Sequence, residues 1–454
     1  IIAKADMKTV EGRATFGDWL NEYTTANLLF DATTHMINIL SGMVKFQIGI
    51  GLDFTRGLMM LRKDRKLAIA QMRMTNDMLV GQFQFYWFAF KKAGSSFKQG
   101  RALGDQLQHK LDAKKWRAMD TWNKQITDEG GVAREMGLLN PMSWLSKLVY
   151  NSYRALQAGD TFMKQAFNRA TRAAHVNHRM RAENPKLWNS KKNWTPKVSA
   201  VKEDQIVKHI DEVIRYEKRH IDKDGNPDKS KWNTKRIEKL ETRKKNLLEQ
   251  ISERDKDEFS RKWKEMFNQY EDEFGNYRAI NEMPDHILES FDDLSKSIMF
   301  DPQYRAREAT FTNSLRSDLV PDAIDPLTGY NDGFAGWLLR AANDHPYLRV
   351  LAGLHFLKVP AHLNRWAWWH TPALNKLHFQ FRAMEKSPDP IIRSHAHAIQ
   401  ASAVALYGMA SVLASMGRLN GGLHPDPEKK NSIRLTINGK EEYIQFSRLY
   451  PLSI

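Results

Sequence analysis

Residues 394–417, SHAHAIQASAVALYGMASVLASMG, contain no Asp, Glu, Lys or Arg, in a chain where 27% of residues are charged. Arg393 and Arg418 bound the stretch. As a helix its 24 residues would reach roughly 36 Å, enough to cross the hydrocarbon core of a bilayer. The composition is unusual for that purpose, being rich in Ala, Ser, Gly and Met. Ala401, Ala405, Gly408, Ser411 and Ser415 recur at spacings of three and four, which lets a second helix approach closely in water or in lipid. Two expectations follow: a buried packing helix, or a helix that packs in one state and meets a membrane in another.

The chain around it has 454 residues, room for two or three domains and a large core, so no disulfide or metal is needed for folding. It has no cysteine. Thiolate chemistry and Cys-based zinc sites are thereby excluded, and nothing is exposed to mis-oxidation in an oxidising compartment. The first residue is Ile, as expected of a processed product or a piece of a longer polypeptide. The opening IIAKADMKTVEGR does not read as a secretory signal, because no apolar run follows its charges.

Net charge is +16 and unevenly placed. Residues 91–125 carry nine Lys/Arg against three Asp/Glu, and residues 161–200 carry nine against one. Two basic blocks suggest a polyanionic partner, either nucleic-acid phosphate or anionic lipid. The phosphate-facing candidates are Lys91, Lys92, Lys98, Arg101, Lys114, Lys115 and Arg117 in the first block. In the second they are Lys164, Arg169, Arg172, Arg179, Arg181, Lys191 and Lys192, with the arginines and Lys164 expected on one surface. The alternative for each block is a solvated basic face with no partner.

Periodicity predicts helices through most of the chain. Leu28, Leu29, Ala32, Met36, Ile39, Leu40 and Met43 share a broad apolar face, and Gly49 and Gly51 are expected to loosen or end that helix. The uncharged aromatic run Met78–Phe90, MLVGQFQFYWFAF, suits a core helix or an interfacial segment, with Phe85 and Trp87 as membrane or subunit-packing candidates. A loop-like start is expected after Lys91. Residues 141–182 read as one long helix or two stacked ones, with Asp160 and Lys164 as an i,i+4 pair. Residues 199–275 read as a charged antiparallel helical hairpin around the turn DKDGNPD (222–228). Its stripes are Ile206, Ile210 and Val213 on one arm, and Ile237, Leu240, Leu247 and Ile251 on the other. Near the end, SIRLTINGKEEYIQF alternates like a strand pair, with Asn438-Gly439 as its two-residue turn.

The expected architecture is therefore mainly α: an elongated multi-helix assembly with a projecting antiparallel helical hairpin and a small C-terminal β-hairpin. The expected divisions are a helical region with two basic blocks (1–198), the charged hairpin (199–275), a second helical region (276–431) and the β-hairpin (432–454). The second helical region holds a Trp/His-rich block and the uncharged helix.

Little in the sequence reads as catalysis. His355, His362, His370 and His378 are spaced by seven and eight, but Pro360 and Pro372 interrupt them and no carboxylate sits among them to complete a metal site. Trp366, Trp368 and Trp369 in the same block favour an aromatic packing or interfacial cluster. No phosphate loop, dinucleotide fingerprint, HExxH or GxSxG pattern is present. The reading is of a non-enzyme without cofactor or metal.

Several motifs in order give the chain a resemblance. They are TTHMINILSG (33–42), LQAGDTFMKQAFNRA (156–170), ATFTNSL (309–315), HPYLRVLAGLHFLKVPAHLNRWAWWHTP (345–372), GGLHPDP (421–427) and IRLTINGKEEYIQFSRLYPL (433–452). In order and spacing they resemble the internal virion (DNA-ejection) proteins of short-tailed bacteriophages, and related large phage proteins sharing their C-terminal region. The segment 359–372 is richer in Trp and His than that pattern, and the lytic transglycosylase domain of some such proteins has no counterpart here. The resemblance implies a protein stored in the virion and ejected into the host envelope, in the periplasm or inner membrane. There it would form an oligomeric conduit with other internal virion or ejection proteins, passing viral DNA without sequence preference and touching the host membrane. Two other readings stand beside it: a non-specific DNA-binding helical virion protein, or the non-catalytic C-terminal segment of a larger virion-carried enzyme.

Overall fold

The computed structural model describes residues 32–99, 141–190, 199–219, 232–254, 257–271, 278–310, 314–344, 358–437 and 440–445. The chain is mainly helical. Its long helices are α1 (Ala32–Met60), α2 (Arg65–Gln99) and α3 (Pro141–Glu183). After a short α4 (Pro185–Ser190) come α5 (Ser199–Glu217), α6 (Thr234–Arg254) and α7 (Glu258–Asn268). Three short helices follow, α8 (Asp285–Leu288), α9 (Asp293–Lys296) and α10 (Pro302–Ala309). The last four are α11 (Gly333–Asp344), α12 (Lys358–His370), α13 (Phe379–Glu385) and α14 (Pro390–Ser415).

Helix α3 is the axis. It is a single helix of 43 residues, about 64 Å long, with Pro141 at its first turn where a missing N–H costs nothing. Gly159 does not break it; a Cβ there would touch Ile39 at 3.4 Å, so the residue marks a close crossing with α1. Two apolar clusters are built on successive parts of the same helix. Met163, Ala166 and Phe167 join Phe46, Met74, Met78, Phe300, Phe381 and Ile399 in the first, where Phe46 stacks on Phe167 at 3.9 Å. Ala173, Val176 and Met180 join Phe85, Trp263, Phe267, Tyr270 and Phe291 in the second.

Helices α1 and α2 form an antiparallel pair against α3. Neither breaks where local signals suggest. Gly49 and Gly51 lie inside α1, which runs to Met60. Gly94, Ser95 and Ser96 lie inside α2, where a loop-like start was expected. Packing along two long neighbours outweighs the weak local preference of single glycines. The turn between α1 and α2 ends with Asp64, whose carboxylate accepts the Leu67 N–H at 2.9 Å and so caps the start of α2.

The expected hairpin is present in α5 and α6, whose pairs Lys244–Asp211, Lys218–Glu241 and Arg236–Glu217 run in opposite chain directions. Its inner arm lies on the body through Lys92–Glu212 and Lys208–Glu271, and α6 is the outer arm. The turn 222–228 lies outside the described residues.

Asp389 accepts the Ile391 N–H at 2.7 Å and Pro390 takes the first turn, which starts α14. Gly417, at φ 63°, ends it: the Arg418 N–H reaches back to the Leu413 carbonyl at 2.8 Å. The chain then closes in a three-stranded antiparallel sheet of β1 (Leu419–Asn420), β2 (Ser432–Ile437) and β3 (Lys440–Gln445). Ser432 pairs with Gln445 and Ile437 with Lys440. The expected turn residues Asn438 and Gly439 lie outside the described residues.

Where α2 crosses α3, a Cβ on Gly81 would stand 3.2 Å from the Ala170 Cα. Gly81→Val is expected to force the two helices apart and lower stability by about 2 kcal/mol in urea unfolding. Gly94 in the same helix has open space around it. Gly94→Ala is therefore expected to raise stability by about 0.5–1 kcal/mol.

Candidate functional site

Between Thr161 and Met180 of α3, every residue but Phe162 is buried, and more than half of those buried are polar or charged. This corrects the expectation that Lys164, Arg169, Arg172 and Arg179 line a surface toward a polyanion. Arg172 is fully buried, and Lys164, Arg169 and Arg179 are at most 5% exposed. Lys92 of the first block is buried as well.

Each of these cations is answered inside the protein. Arg172 donates to Glu271 at 2.9 Å and to the Phe267 carbonyl at 2.8 Å, with its guanidinium 4.0 Å from the Phe267 ring. Lys208 reaches the other oxygen of Glu271 at 2.7 Å. Burial pushes the Glu271 carboxyl up, but Arg172, Arg169 and Lys208 outweigh it and hold the pKa at about 2. Arg179 donates to Glu183 at 2.8 Å and to Gln269 at 2.7 Å. Lys164 pairs with Asp160 at 3.2 Å, the expected i,i+4 pair. Arg169 donates to Gln165 at 3.0 Å and lies over Phe88. Arg181, half-buried, donates to Asp77 at 2.6 Å, and Lys92 pairs with Glu212. Lys91 is half-buried over the Trp87 ring and Lys98 is exposed. Arg101, Lys114, Lys115, Arg117, Lys191 and Lys192 lie outside the described residues.

The apolar candidates divide too. Phe85 is buried in the second core, 6.1 Å from Phe267, which corrects its reading as a membrane or subunit-packing residue. Trp87 is 62% exposed, and so are Phe83 and Phe90 beside it, which the sequence reading did not single out. Trp366 stacks on His370 at 3.9 Å, and Trp369 packs against His378 and Phe381. Trp368 faces solvent.

Helix α14 combines both behaviours expected of it. Ile391, Ile392, His395, Ala396, Ala398, Ile399 and Ala403 are buried in the body. Beyond Ala403 the helix emerges. Ala405, Gly408, Ser411 and Ser415 are exposed and Ala401 is half-buried. The large side chains are bare as well: Val404, Met409, Val412 and Met416 are each more than half exposed. By length and composition it is the one helix among the described residues able to cross a membrane, and 17% of its most apolar window is buried.

His362 and His370 of α12 and His395 of α14 meet at a cleft of about 50 Å³ that Lys45, Glu308 and Arg365 also line. His370 shares a hydrogen bond with the Trp366 carbonyl at 2.8 Å. Burial pushes His370 down to about 4 and His395 well below its ordinary value, so both rings are neutral. Among the described residues no group of three or more His, Asp or Glu is placed to hold a metal ion. His355 lies outside them.

No protein-family model, no curated protein and no solved structure matches this chain.

Two outcomes test the buried network. Glu271→Gln leaves Arg172 and Lys208 without their carboxylate and is expected to cost about 3–5 kcal/mol, whereas the apolar double variant Arg172→Met/Glu271→Met recovers much of that loss. The second concerns His175, buried in α3, whose ring bonds to the Phe300 carbonyl. Burial lowers it from the ordinary 6.5 to about 3. Between those values the unfolded chain binds a proton that the folded chain refuses, so stability is lost as pH falls, by about 2 kcal/mol at pH 5. The raised carboxyls of Asp53, Asp77 and Asp301 act in the opposite sense. His175→Gln removes the histidine contribution, and its melting temperature is expected to fall less between pH 7 and pH 5 than that of the parent.

Proposed function

We propose that this chain is a structural subunit of the internal virion (DNA-ejection) kind. Copies of it join through the bare half of α14 into a conduit that carries viral DNA across the host cell envelope. The observation that carries the reading is the emergent part of α14. A lone helix with Val404, Leu406, Tyr407, Met409, Val412 and Met416 exposed forgoes roughly 1–2 kcal/mol of burial for each large side chain. Coverage by neighbouring copies recovers that free energy.

Two faces run along this segment. Leu406, Met409, Leu413 and Met416 follow a 3–4–3 spacing on one side, the seam of a helical bundle. Ala401, Ala405, Gly408 and Ser415 lie on another side, where a neighbouring helix can approach. A large stripe fitted to a small one makes a head-to-tail contact, and head-to-tail contacts that close produce rings. The ordered motifs of the sequence add the phage setting, and the cysteine-free composition suits passage through the periplasm.

Sedimentation of the purified chain tests the reading. The parent is expected to form a discrete multimer. Met409→Glu/Val412→Glu, which changes only exposed positions, is expected to remain monomeric with an unchanged circular dichroism spectrum. A parent chain that stays monomeric at high concentration, in buffer and in mild detergent alike, overturns it.

A further inference from the structure

Among the described residues, the outward face of α2 is a second unpartnered surface, distinct from α14 in place and in chemistry. It presents Arg65, Lys66, Arg73, Asn76, Phe83, Trp87, Phe90, Gly94, Phe97 and Lys98, all exposed. At 100° per residue these positions fall within one side of the helix. From Arg65 to Lys98 the face runs about 50 Å. It contains no Asp or Glu. Asp77, the acidic residue of the helix, points inward to Arg181. Asp64, just before the helix, caps it. Arg62 and Lys63 in the same turn are exposed and extend the basic end.

The chemistry is segregated along the face. Its basic residues crowd the first turns, and its aromatics fill two successive turns further on. Phe83, Trp87 and Phe90 are each 62% exposed, and Trp87 stacks on Phe90 at 6.0 Å. Lys91 holds its ammonium 5.1 Å from the Trp87 ring, leaving a cation at the edge of the aromatic group.

We infer that this face docks the protein flat on an anionic phospholipid surface, with Phe83, Trp87 and Phe90 entering the headgroup–acyl boundary and the Arg62–Arg73 cluster meeting the lipid phosphates. The inference deepens the envelope reading above and rests on it for the membrane's identity. Charge complementarity selects the occupant, because a face with five cations in Arg62–Arg73 and one carboxylate, Asp64, which caps the helix, matches a negative plane. The aromatic group selects a bilayer over nucleic acid. Trp87 is already flanked by Phe90 and Lys91, whereas the three exposed rings together form an apolar patch of the kind that enters the headgroup–acyl boundary.

The test is co-flotation of the full chain with vesicles of phosphatidylcholine alone or mixed with phosphatidylglycerol, at low and high salt. The parent is expected to float with the anionic vesicles and to stay behind with the neutral ones. Phe83→Ser/Trp87→Ser/Phe90→Ser, all at exposed positions, is expected to lose at least ten-fold in binding. Arg65→Gln/Lys66→Gln/Arg73→Gln is expected to lose roughly a hundred-fold at low salt and to weaken the salt dependence. Met409→Glu/Val412→Glu is expected to bind each vesicle as a monomer, so a failure of assembly through α14 leaves this result readable. Equal flotation of the aromatic variant and the parent overturns the inference. So does loss of duplex or single-stranded DNA binding in that variant with vesicle binding intact, which would make the face a nucleic-acid surface.

Discussion

A helical stretch closed off from water, as Thr161–Met180 of α3 is, must have each of its charges answered by its own helix or by another part of the chain. Helix α3 imposes that condition on the whole molecule. Unpaired buried charge is costly enough to unfold a domain, so the partners that Arg172 and Arg181 take from other helices have to arrive in register, as does the acceptor of the His178 ring. Glu271 follows α7, Asp77 comes from α2, and Asp292 stands just before α9, accepting from the His178 ring at 2.6 Å. The ion pairs therefore act less as a source of net stability than as a specification of which helix packs on which side of α3. The apolar clusters alone would tolerate other arrangements.

Aromatic rings make the same point in another form. Arg172 lies over Phe267, Arg179 over Phe291, Arg169 over Phe88 and Arg181 over Trp188. Each guanidinium is thus held by a carboxylate or amide in its plane and by a ring on its face. That geometry suits arginine and would not suit lysine. It explains why a segment with the composition of a polyanion-binding helix becomes the inside of the protein.

The helices themselves were legible in the sequence, because a 3.6-residue period survives whatever the partner is. So were the strand pair, the α5–α6 hairpin and the ambiguity of α14. Helix ends were less so: Gly49, Gly51 and Gly94 carry local signals that long-range packing overrides. Apart from the local Asp160–Lys164 pair, the placement of charge was not legible. Windows of 35 to 40 residues around Arg172 and Lys92 look uncompensated, yet Glu271 lies 99 residues from Arg172 and Glu212 lies 120 from Lys92. In α2 the run from Phe83 to Phe90 is aromatic all round, so the pattern alone could not tell that Phe85 faces inward while its neighbours face out.

The result is a fold that, beside its two apolar cores, buries several cations and leaves a set of large aliphatic and aromatic side chains outside. Among the described residues nothing covers Val404, Met409 and Val412 on one helix or Phe83, Trp87 and Phe90 on another. Such surfaces persist where something else covers them. The two bare surfaces also differ in kind. The α14 surface is free of charge and built for close helix contact, which suits copies of one chain. That of α2 grades from cationic to aromatic, which suits a boundary between charged and apolar media. On the proposed reading, a chain carrying one of each would be held to its neighbours and to a bilayer by separate helices, so that either contact could form without the other.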